Sequence, residues 1–471
     1  MRYTLLICFF TLLFNASYAL AENEIKDKAS QTLPIKEFLK TATENDTYFE
    51  EILIEELKLS YQKDLKLSAS DLVLEVKGEY EFILNQNREE WDSNISLEKL
   101  FPKTGTAASL SYQNRPSYSS ETSSSDLTFS LSQPIAQNAF GKLYKLKDKV
   151  IGLEIDIAKH QIIEAYEDYL ALLLIAYYNW YEAYQNLLIG DSSYKENIKL
   201  LDNVKARQQS KIAVGLDVNK TKLQLLKKQK KLTTLKEEYN QALNVIKTAI
   251  RDNSGKEIVP QKPDWLEQQN INHAEKFKIF TKSGRTFKIL NLLEEKSTLN
   301  VDSQANQLLP SIDFILGYNI NGDDFRFNAS DNLISAGLSL KYPFGNQIKQ
   351  AEYEIAKIEE KQSKLSSKNT YFRLSQNLKN LYLSLKNEKE LLIATEQGVE
   401  LAETVLADET KNYTYGKVTL NDYIDAVNAV DDHQFDLIYH SMQIKKLIIE
   451  YLRLTDKLIA KKDVRRSLSK T

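Results

Sequence analysis

The sequence predicts an α+β fold made of two tandem repeats, in which β-strands precede a pair of long helices in each repeat. Three observations lead to this prediction. Segments that alternate apolar and polar residues occur within 72–135 and again within 311–344, and this alternation is the period of β-strands. Apolar residues at steps of three and four follow each β-region, as in long packed helices. A single glycine, Gly215 or Gly416, interrupts each helical pattern.

The N-terminus predicts an exported protein. Arg2 precedes an apolar run over residues 5–14, and small residues follow at Ala19 and Ala21, in the spacing that signal peptidase recognises. We therefore expect residues 1–21 to be a signal peptide that is cleaved after Ala21.

Composition excludes several classes of function. A formal net charge of −3 on 471 residues does not indicate a nucleic-acid binder. The only cysteine, Cys8, lies in the predicted signal peptide, so the mature chain has no thiol for disulfides, nucleophilic catalysis or metal sites. The most apolar later stretch, 170–184, is too short and too aromatic for a membrane-spanning helix. A chain of this kind can cross a membrane only as a β-barrel.

The first repeat contains four strand signals. Residues 72–84 alternate most clearly, with Leu72, Leu74, Val76, Tyr80, Phe82 and Leu84 on one face and Glu75, Lys77, Glu79 and Glu81 on the other. Weaker alternations follow at 93–101, 106–113 and 125–135. The segment 114–125 has the composition of a loop. We interpret 93–114 as an added hairpin, and the strands that span a membrane are left open.

The second repeat has two strand signals, at 311–320 and 334–344, separated by a polar segment at 321–332 that is predicted to be a loop. If two strands of each repeat span the membrane, one chain supplies four. Four strands are too few to close a barrel, yet every backbone amide in lipid must be paired. Only an oligomer closes such a barrel. A soluble sandwich explains the alternation equally well on strand evidence alone, and the export signal and long helices favour the barrel.

The helical patterns are very long. From Val218 an apolar heptad continues through Leu225, Leu232, Tyr239 and Ile246, and no proline interrupts 135–259 or 344–471. Each half therefore predicts two helices of roughly 50 to 70 residues, or about 75 to 105 Å at 1.5 Å per residue. A filamentous coiled coil is the alternative, but strand blocks at matching positions before each helical pair weigh against it. The expected domains are a first repeat (22–255), a second repeat (256–460) and a basic C-terminal tail (461–471).

One segment beside the second glycine carries a more specific signal. It reads 413-YTYGKVTLNDYIDAV-427, in which a tyrosine and a glycine precede a helix entry with two aspartates. With the signal peptide, the tandem repeats and the strand ends Gln133-Pro134 and Tyr342-Pro343, this segment resembles the TolC family of outer-membrane channel proteins. The resemblance covers the chain from about Leu33 to Lys457.

The resemblance implies a homotrimer whose protomers share one β-barrel in the outer membrane, continued by a long periplasmic α-helical barrel. The implied function is an outer-membrane channel subunit that gives cargo a passage from periplasmic partners to the exterior, in a tripartite efflux pump or a type I secretion system. The implied partners are a periplasmic adaptor (membrane fusion) protein, an inner-membrane transporter and outer-membrane lipid. The alternative is a pore-less periplasmic coiled-coil adaptor or structural protein.

The resemblance also assigns roles at the inner ends of the helices, which we call the tips. Gly215 and Gly416 are expected to mark the turns where the adaptor docks. Tyr413, Asp422 and Asp425 are expected to line the periplasmic entrance or gate.

Two departures from the family pattern concern these tips. When the two glycines are aligned, the first tip lacks about four residues, roughly one helical turn, and Asp217 corresponds to Asp422. Val418 stands where some relatives carry an arginine that ties the closed tips together. Lys417 is the neighbouring cation, but it is expected to point elsewhere.

Catalytic chemistry is not indicated. The four histidines have no metal-binding motif around them. Asp432, Asp436 and His440 form a stripe along one helix, and we interpret this stripe as a solvated helix face. The paired carboxylates at the second tip have no substrate pocket in the sequence beside them. We therefore expect no enzymatic activity, cofactor or metal.

Overall fold

The computed structural model of the chain describes residues 31–66, 70–84, 88–115, 124–252, 257–263, 280, 284–323 and 326–459. The predicted signal peptide, the basic tail and most of the predicted loop at 114–125 lie outside the described residues.

The described residues form long helices and one large sheet, in the order that the chain gives them. The helices are α1 (Ile35–Asn45), α2 (Thr47–Lys66), α3 (Lys142–Gln209), α4 (Gly215–Ile250), α5 (Arg285–Gln307), α6 (Gln347–Thr414) and α7 (Leu420–Leu454). The strands are β1 (Gln31–Leu33), β2 (Leu72–Ile83), β3 (Arg88–Phe101), β4 (Thr106–Arg115), β5 (Ser124–Pro134), β6 (Ile258–Pro260), β7 (Ser311–Asp323) and β8 (Arg326–Lys341).

The chain divides into two compact units. The helical unit consists of Met1–Ile54, Ile163–Gly284 and Arg373–Thr471. The sheet unit consists of Glu55–Ile162 and Arg285–Phe372.

The core of the helical unit is built on the apolar stretch of α3 that the sequence singles out. Leu174, Tyr177, Tyr178 and Trp180 are each 0% exposed. The Tyr177 hydroxyl lies 2.7 Å from the Leu33 carbonyl oxygen, on strand β1. Strand β1 pairs in parallel with β6, so this side chain fixes a small two-stranded sheet against the helices. The aromatic residues that make 170–184 unsuitable for lipid therefore serve as a packed protein interior.

The sheet unit contains a six-stranded sheet in the order β2-β3-β4-β5-β7-β8. Each neighbouring pair is antiparallel. The strand predictions for both repeats are confirmed, and so is the hairpin at 93–114, because Ser93 pairs with Asn114 across β3 and β4.

The prediction of a loop at 321–332 is wrong. Strand β7 extends to Asp323 and β8 begins at Arg326, with Gly322 paired to Phe327 after an irregularity in the register. The polar composition of this segment reflects a strand pair that continues past the apolar part of the sheet, since backbone pairing does not require apolar side chains.

The predicted helix lengths are confirmed for the first helix of each pair and are too long for the second. Helices α3 and α6 have 68 residues each, whereas α4 has 36 and α7 has 35. Helix α4 ends at Ile250, and Arg251 after it caps the helix with a left-handed φ of 55°; the absence of proline gives no indication of such an end. The sequence interpretation also missed α1, α2 and α5. In the described part of the chain, each helix is too polar or too short to cross a bilayer.

Candidate functional site

The six-stranded sheet has one apolar and one polar face, which the strand registers align across all six strands. One row of side chains reads Leu74, Leu97, Leu110, Phe129, Tyr318 and Ile334. The adjacent row, which points to the opposite face, reads Val73, Glu98, Ser109, Ser130, Gly317 and Ser335. Because successive side chains of a strand alternate between faces, this division persists along the strands.

The apolar face is exposed in the single chain. Val76, Leu338 and Leu340 expose 67%, 70% and 68% of their surface. A continuous apolar face of this extent marks a contact with lipid or protein rather than with water. The hydroxyl and charged side chains of the other face suit contact with water.

The two tips have the same backbone geometry. The turn 210–214 joins α3 to α4, and the turn 415–419 joins α6 to α7. In each turn one amide donates to a carbonyl five residues earlier, Ile212 to Arg207 and Lys417 to Asn412, at 2.8 Å in both cases. The tips are therefore of equal length.

The prediction that the first tip lacks a helical turn is wrong, because it aligned the two glycines. The left-handed residue of the second turn is Gly416, with φ of 70°, and its equivalent in the first turn is Lys211, with φ of 58°. Gly215 is the first residue of α4 and does not form the turn. The equivalence of Asp217 with Asp422 is confirmed, since each is the third residue of its helix.

Tyr413 lies between the two tips. Its ring stacks on Tyr423 with a centroid distance of 5.3 Å, and the Arg207 guanidinium lies 4.5 Å from the Tyr413 ring centroid. Arg207 also donates to the Tyr413 carbonyl oxygen at 3.2 Å. Burial raises the pKa of the Tyr413 hydroxyl, and the nearby Arg207 opposes this change.

Sequence reasoning missed Arg207. It considered cations only beside Val418, where Lys417 in fact lies 5.9 Å from the ring of Tyr415. Arg207 is in the last turn of α3, and a cation there also complements the helix dipole. Arg207 belongs to the first repeat and Tyr413 to the second, and no sequence pattern indicated that the two side chains meet.

Asp422 forms a capping box with Thr419 at the start of its own helix. Its carboxylate accepts from the Thr419 backbone amide at 2.9 Å and from the Thr419 hydroxyl at 2.7 Å. These hydrogen bonds hold the pKa of Asp422 below its ordinary value. Asp425 follows one turn later on α7 and is also exposed. The structure thus gives Asp422 a structural role and leaves its predicted role at an entrance as a prediction.

A ladder of polar contacts joins α4 of the first repeat to α7 of the second. Lys220 donates to Asn421 at 3.3 Å, Gln224 to Asn428 at 2.6 Å, and Lys228 forms an ion pair with Asp431 at 2.6 Å. The Asp431 side chain is buried and that of Lys228 is largely buried, and Ser193 of α3 also donates a hydrogen bond to Asp431.

A groove runs along α4 and α7 beside this ladder. Its lining includes the exposed side chains Leu223 and Leu226, with Lys227 and Lys230 at its edge and Ile424 opposite. The groove is therefore apolar at the centre and cationic at the rim.

The stripe of Asp432, Asp436 and His440 is not wholly solvated. His440 Nδ1 lies 2.7 Å from Glu388 Oε2 on α6, and both side chains are largely buried. His440 therefore takes part in a contact between helices. Across the described ranges, no three histidine, aspartate or glutamate side chains are arranged to hold a metal ion.

Known structures share the fold over nearly the whole chain. The outer-membrane channel CmeC of Campylobacter jejuni has a TM-score of 0.71 and 11% identity, over 92% of this chain and 88% of that one. The outer-membrane protein VceC of Vibrio cholerae has a TM-score of 0.66 and 12% identity, over 90% and 95%. The open state of the MtrE channel of Neisseria gonorrhoeae has a TM-score of 0.65 and 12% identity, over 90% and 89%. The sequence itself matches no curated protein.

Sequence similarity to a family is found in the second repeat. Residues 291–446 match the outer membrane efflux protein family, and this range contains β7, β8 and α6. Residues 291–446 therefore resemble an outer membrane efflux protein domain, and the chain as a whole has the fold of the TolC-family channels, which confirms the resemblance found in its sequence.

Proposed function

We propose that the chain is a subunit of a homotrimeric outer-membrane channel that gives cargo a passage from periplasmic partners to the exterior, in a tripartite efflux pump or a type I secretion system. The sheet carries this proposal. Its apolar face is continuous over six strands and exposed in one chain, and its other face is polar. Lipid outside and water inside a closed barrel satisfy both faces. A pore-less periplasmic protein would have to cover this whole apolar face with another protein.

The proposal requires an oligomer, because one chain leaves β2 and β8 as sheet edges. Unpaired edges are not tolerated in lipid. The long helices are proposed to continue the passage through the periplasm, and the repeat boundaries at 22–255 and 256–460 stay predictions. Purified protein in planar bilayers is expected to conduct as a trimer and not as a monomer. A conducting monomer, or a trimer that does not conduct, would contradict the channel.

The tips are the proposed docking sites for a periplasmic adaptor protein. The groove between α4 and α7 offers exposed leucines bounded by lysines, so we expect adaptor helices with apolar and acidic side chains. The substitutions Lys227→Glu and Lys230→Glu should weaken crosslinking to the adaptor in cells. Lys222→Glu, an exposed lysine outside the groove lining, is the matched control.

The turn at Gly416 provides a second test of docking. Gly416→Leu introduces a bulky side chain at a left-handed position that faces open space, so the trimer should persist while adaptor crosslinking falls. Gly215→Leu is the comparison, since Gly215 has no left-handed backbone to strain. Normal transport and crosslinking by both variants would remove the docking proposal.

The entrance proposal assigns Asp422 and Asp425 to rings of carboxylates around the trimer axis. Such rings favour cations, so we expect cation preference and block by trivalent cations from the periplasmic side. Asp422→Asn keeps an oxygen that can cap α7 and removes the charge, and Asp425→Asn removes the second charge. Block should weaken in this double variant and persist in Asp408→Asn, an exposed aspartate on α6. Undiminished block in the double variant would exclude both aspartates from the entrance.

A further inference from the structure

We propose that the barrel closes where β2 of one copy pairs with β8 of the next, so that the trimer forms an 18-stranded barrel from three six-stranded sheets. This inference rests on the proposed channel function. A closure through β4 instead, with β2 and β3 outside the wall, would give a barrel of 12 strands. The following observations distinguish these arrangements.

The first observation is the register of β2 with β3. The pairing is unbroken from Leu72 with Lys99 to Ile83 with Arg88. It continues the division of the faces, since Leu74 lies beside Leu97 and Val76 beside Ile95. The middle of the two strands thus extends the same apolar face that β4, β5, β7 and β8 present, and the charged Lys99 and Glu89 lie on this face only near the strand ends.

The second observation is the turn that joins β3 to β4. Gly105 has a φ of 72°, and a Cβ on it would lie 2.8 Å from the Gly141 nitrogen. A Cβ on Gly141 would lie 2.3 Å from the Pro102 carbonyl oxygen. Gln133 on β5 donates to the Thr104 carbonyl oxygen at 3.0 Å. The turn is therefore fitted against the junction of β5 and α3, and β3 is held in the sheet at that end.

The third observation is a polar network that joins β3 to β4 near their other end. Asp92 accepts from Gln113 at 2.8 Å and from Arg115 at 2.9 Å. With this network and the glycine turn, β3 occupies the edge of β4 along its length. The edge that remains for another copy is β2.

The two outer edges are compatible with each other. Because all neighbouring strands of the six are antiparallel, β2 and β8 run in opposite directions, and β8 of one copy meets β2 of the next as an antiparallel pair. The apolar side chains of both edges lie on the same face of the sheet, including Leu72 and Leu74 on β2 and Leu338 and Leu340 on β8. A register that places the apolar residues of β2 beside the apolar residues of β8 therefore continues both faces around the barrel.

The strand number sets the width of the passage at the outer membrane. Barrel diameter grows roughly in proportion to strand number, and barrels of 16 to 18 strands leave an aqueous channel. The charged strands β2 and β3 then add Glu75, Lys77, Glu79 and Glu98 to the interior wall. We therefore expect a wide, hydrated outer opening.

Disulfide crosslinking between copies tests the closure, since the mature chain has no cysteine of its own if the signal peptide is cleaved. Cysteines on the polar face of β2, at Val73, Glu75 or Lys77, are combined with cysteines on β8 at Ser335, Gly337 or Ser339. A Cβ at Gly337 meets no atom within 4 Å, so that position accepts a side chain. At least one pair is expected to give covalent dimers and trimers on a denaturing, non-reducing gel.

The matched set places cysteines on β4, at Ala107, Ser109 or Ser111, with the same β8 positions, and is expected to give no crosslink between copies. Ser109→Cys with Ser130→Cys, which are paired within one chain, shows that the oxidant reaches this face. Crosslinks through β4, or none from any β2 pair in trimers where the within-chain disulfide forms, would overturn the 18-stranded closure. Either result leaves a conducting trimer intact, whereas loss of the channel function itself appears as absent conductance in the unsubstituted protein.

Discussion

The two tips of the chain have one backbone geometry and two different sets of side chains. Left-handed backbone occurs at Lys211 in the first turn and at Gly416 in the second, and an aspartate is the third residue of the helix after each turn. At the position before the helix, the first tip has Val214 and the second has Thr419. Of the two residues at this position, only Thr419 has a side chain that can accept a hydrogen bond from the helix, and it accepts from the Asp422 amide.

The side chains indicate a different role for each tip. The second tip carries the aromatic pair Tyr413 and Tyr423, and the first tip supplies Arg207 to it. Leu200, Leu201, Val204, Val218 and Leu420 form one buried cluster from both repeats. The first tip thus supports the second. Substitutions of the residues that contact the second tip should therefore lower the stability more than other substitutions at the tips.

The buried ion pair between the repeats should give the largest effect. Asp431→Ala leaves the largely buried Lys228 ammonium without its hydrogen-bonded partner, and removing one member of a buried ion pair typically costs about 3 to 5 kcal/mol. We expect a lower midpoint of thermal unfolding, followed by helical circular dichroism in detergent. Both tips should become more sensitive to trypsin together, since the ladder joins them.

The double variant Lys228→Met with Asp431→Leu is the control for this prediction. It removes both charges and should keep most of the stability, because a well-packed apolar pair can replace a buried ion pair. Equal losses in the single and double variants would show that packing, rather than the unpaired charge, is responsible.

The ring of Tyr413, not its hydroxyl, should account for the second-largest effect. Tyr413→Ala removes the stack on Tyr423 and the contact with Arg207, at a cost of about 2 kcal/mol. Trypsin cleavage after Lys417 should then be about thirtyfold faster if opening precedes cleavage. Tyr413→Phe keeps both ring contacts and should change the rate little, as should Gln208→Ala at the equivalent position of the first tip. A large effect of Tyr413→Phe would instead show that the Tyr413 hydroxyl, and not its ring, stabilises the second tip.

The strands were more predictable from sequence than the tips, for a physical reason. A sheet with two different faces imposes an alternation on every strand, so Leu72 to Leu84 could be assigned from one segment alone. The tip turns are fixed by backbone hydrogen bonds, which many residues can make. A lysine at position 211 adopts the left-handed conformation that glycine favours, and the sequence therefore gave no sign that it, rather than Gly215, forms the turn.

Contacts between the repeats were also beyond sequence reasoning. Arg207 and Tyr413 are far apart along the chain, and their contact depends on how α3 and α6 pack in the helical unit. The same holds for His440 and Glu388, which belong to separate helices. The pattern of one helix indicates which face is apolar but not which partner meets a polar side chain.

Exchanging the left-handed residues sharpens the comparison of the turns. Gly416→Ala adds a Cβ at a φ of 70° and should destabilise the second tip by about 1 kcal/mol. Lys211→Gly relieves the same strain at the first tip and should stabilise it by up to about 1 kcal/mol. Trypsin cleavage after Arg207 and Lys417 reports the two tips separately. If Gly416→Ala has no effect, the turn tolerates any residue and glycine there has another purpose.

The smallest effect should come from exchanging the caps. Thr419→Val gives the second tip the residue of the first and should cost about 1 kcal/mol, whereas Val214→Thr should add a similar stabilisation, because Asp217 is already placed to complete the pair.

The stability of the cap at Thr419 should also depend on pH. The pKa of Asp422 is lowered in the folded tip, so its stabilisation is present above its ordinary value of 3.8 and is lost as the pH falls through the lower folded value. Amide hydrogen exchange of residues 420–423 between pH 5 and pH 2.5 should show this loss in the unsubstituted protein and a weaker pH dependence in Thr419→Val, after correction for the intrinsic exchange rate. Equal pH dependence in both proteins would mean that the hydrogen bond from the Thr419 hydroxyl does not set the pKa of Asp422, since the backbone amide of residue 419 can still donate in the variant.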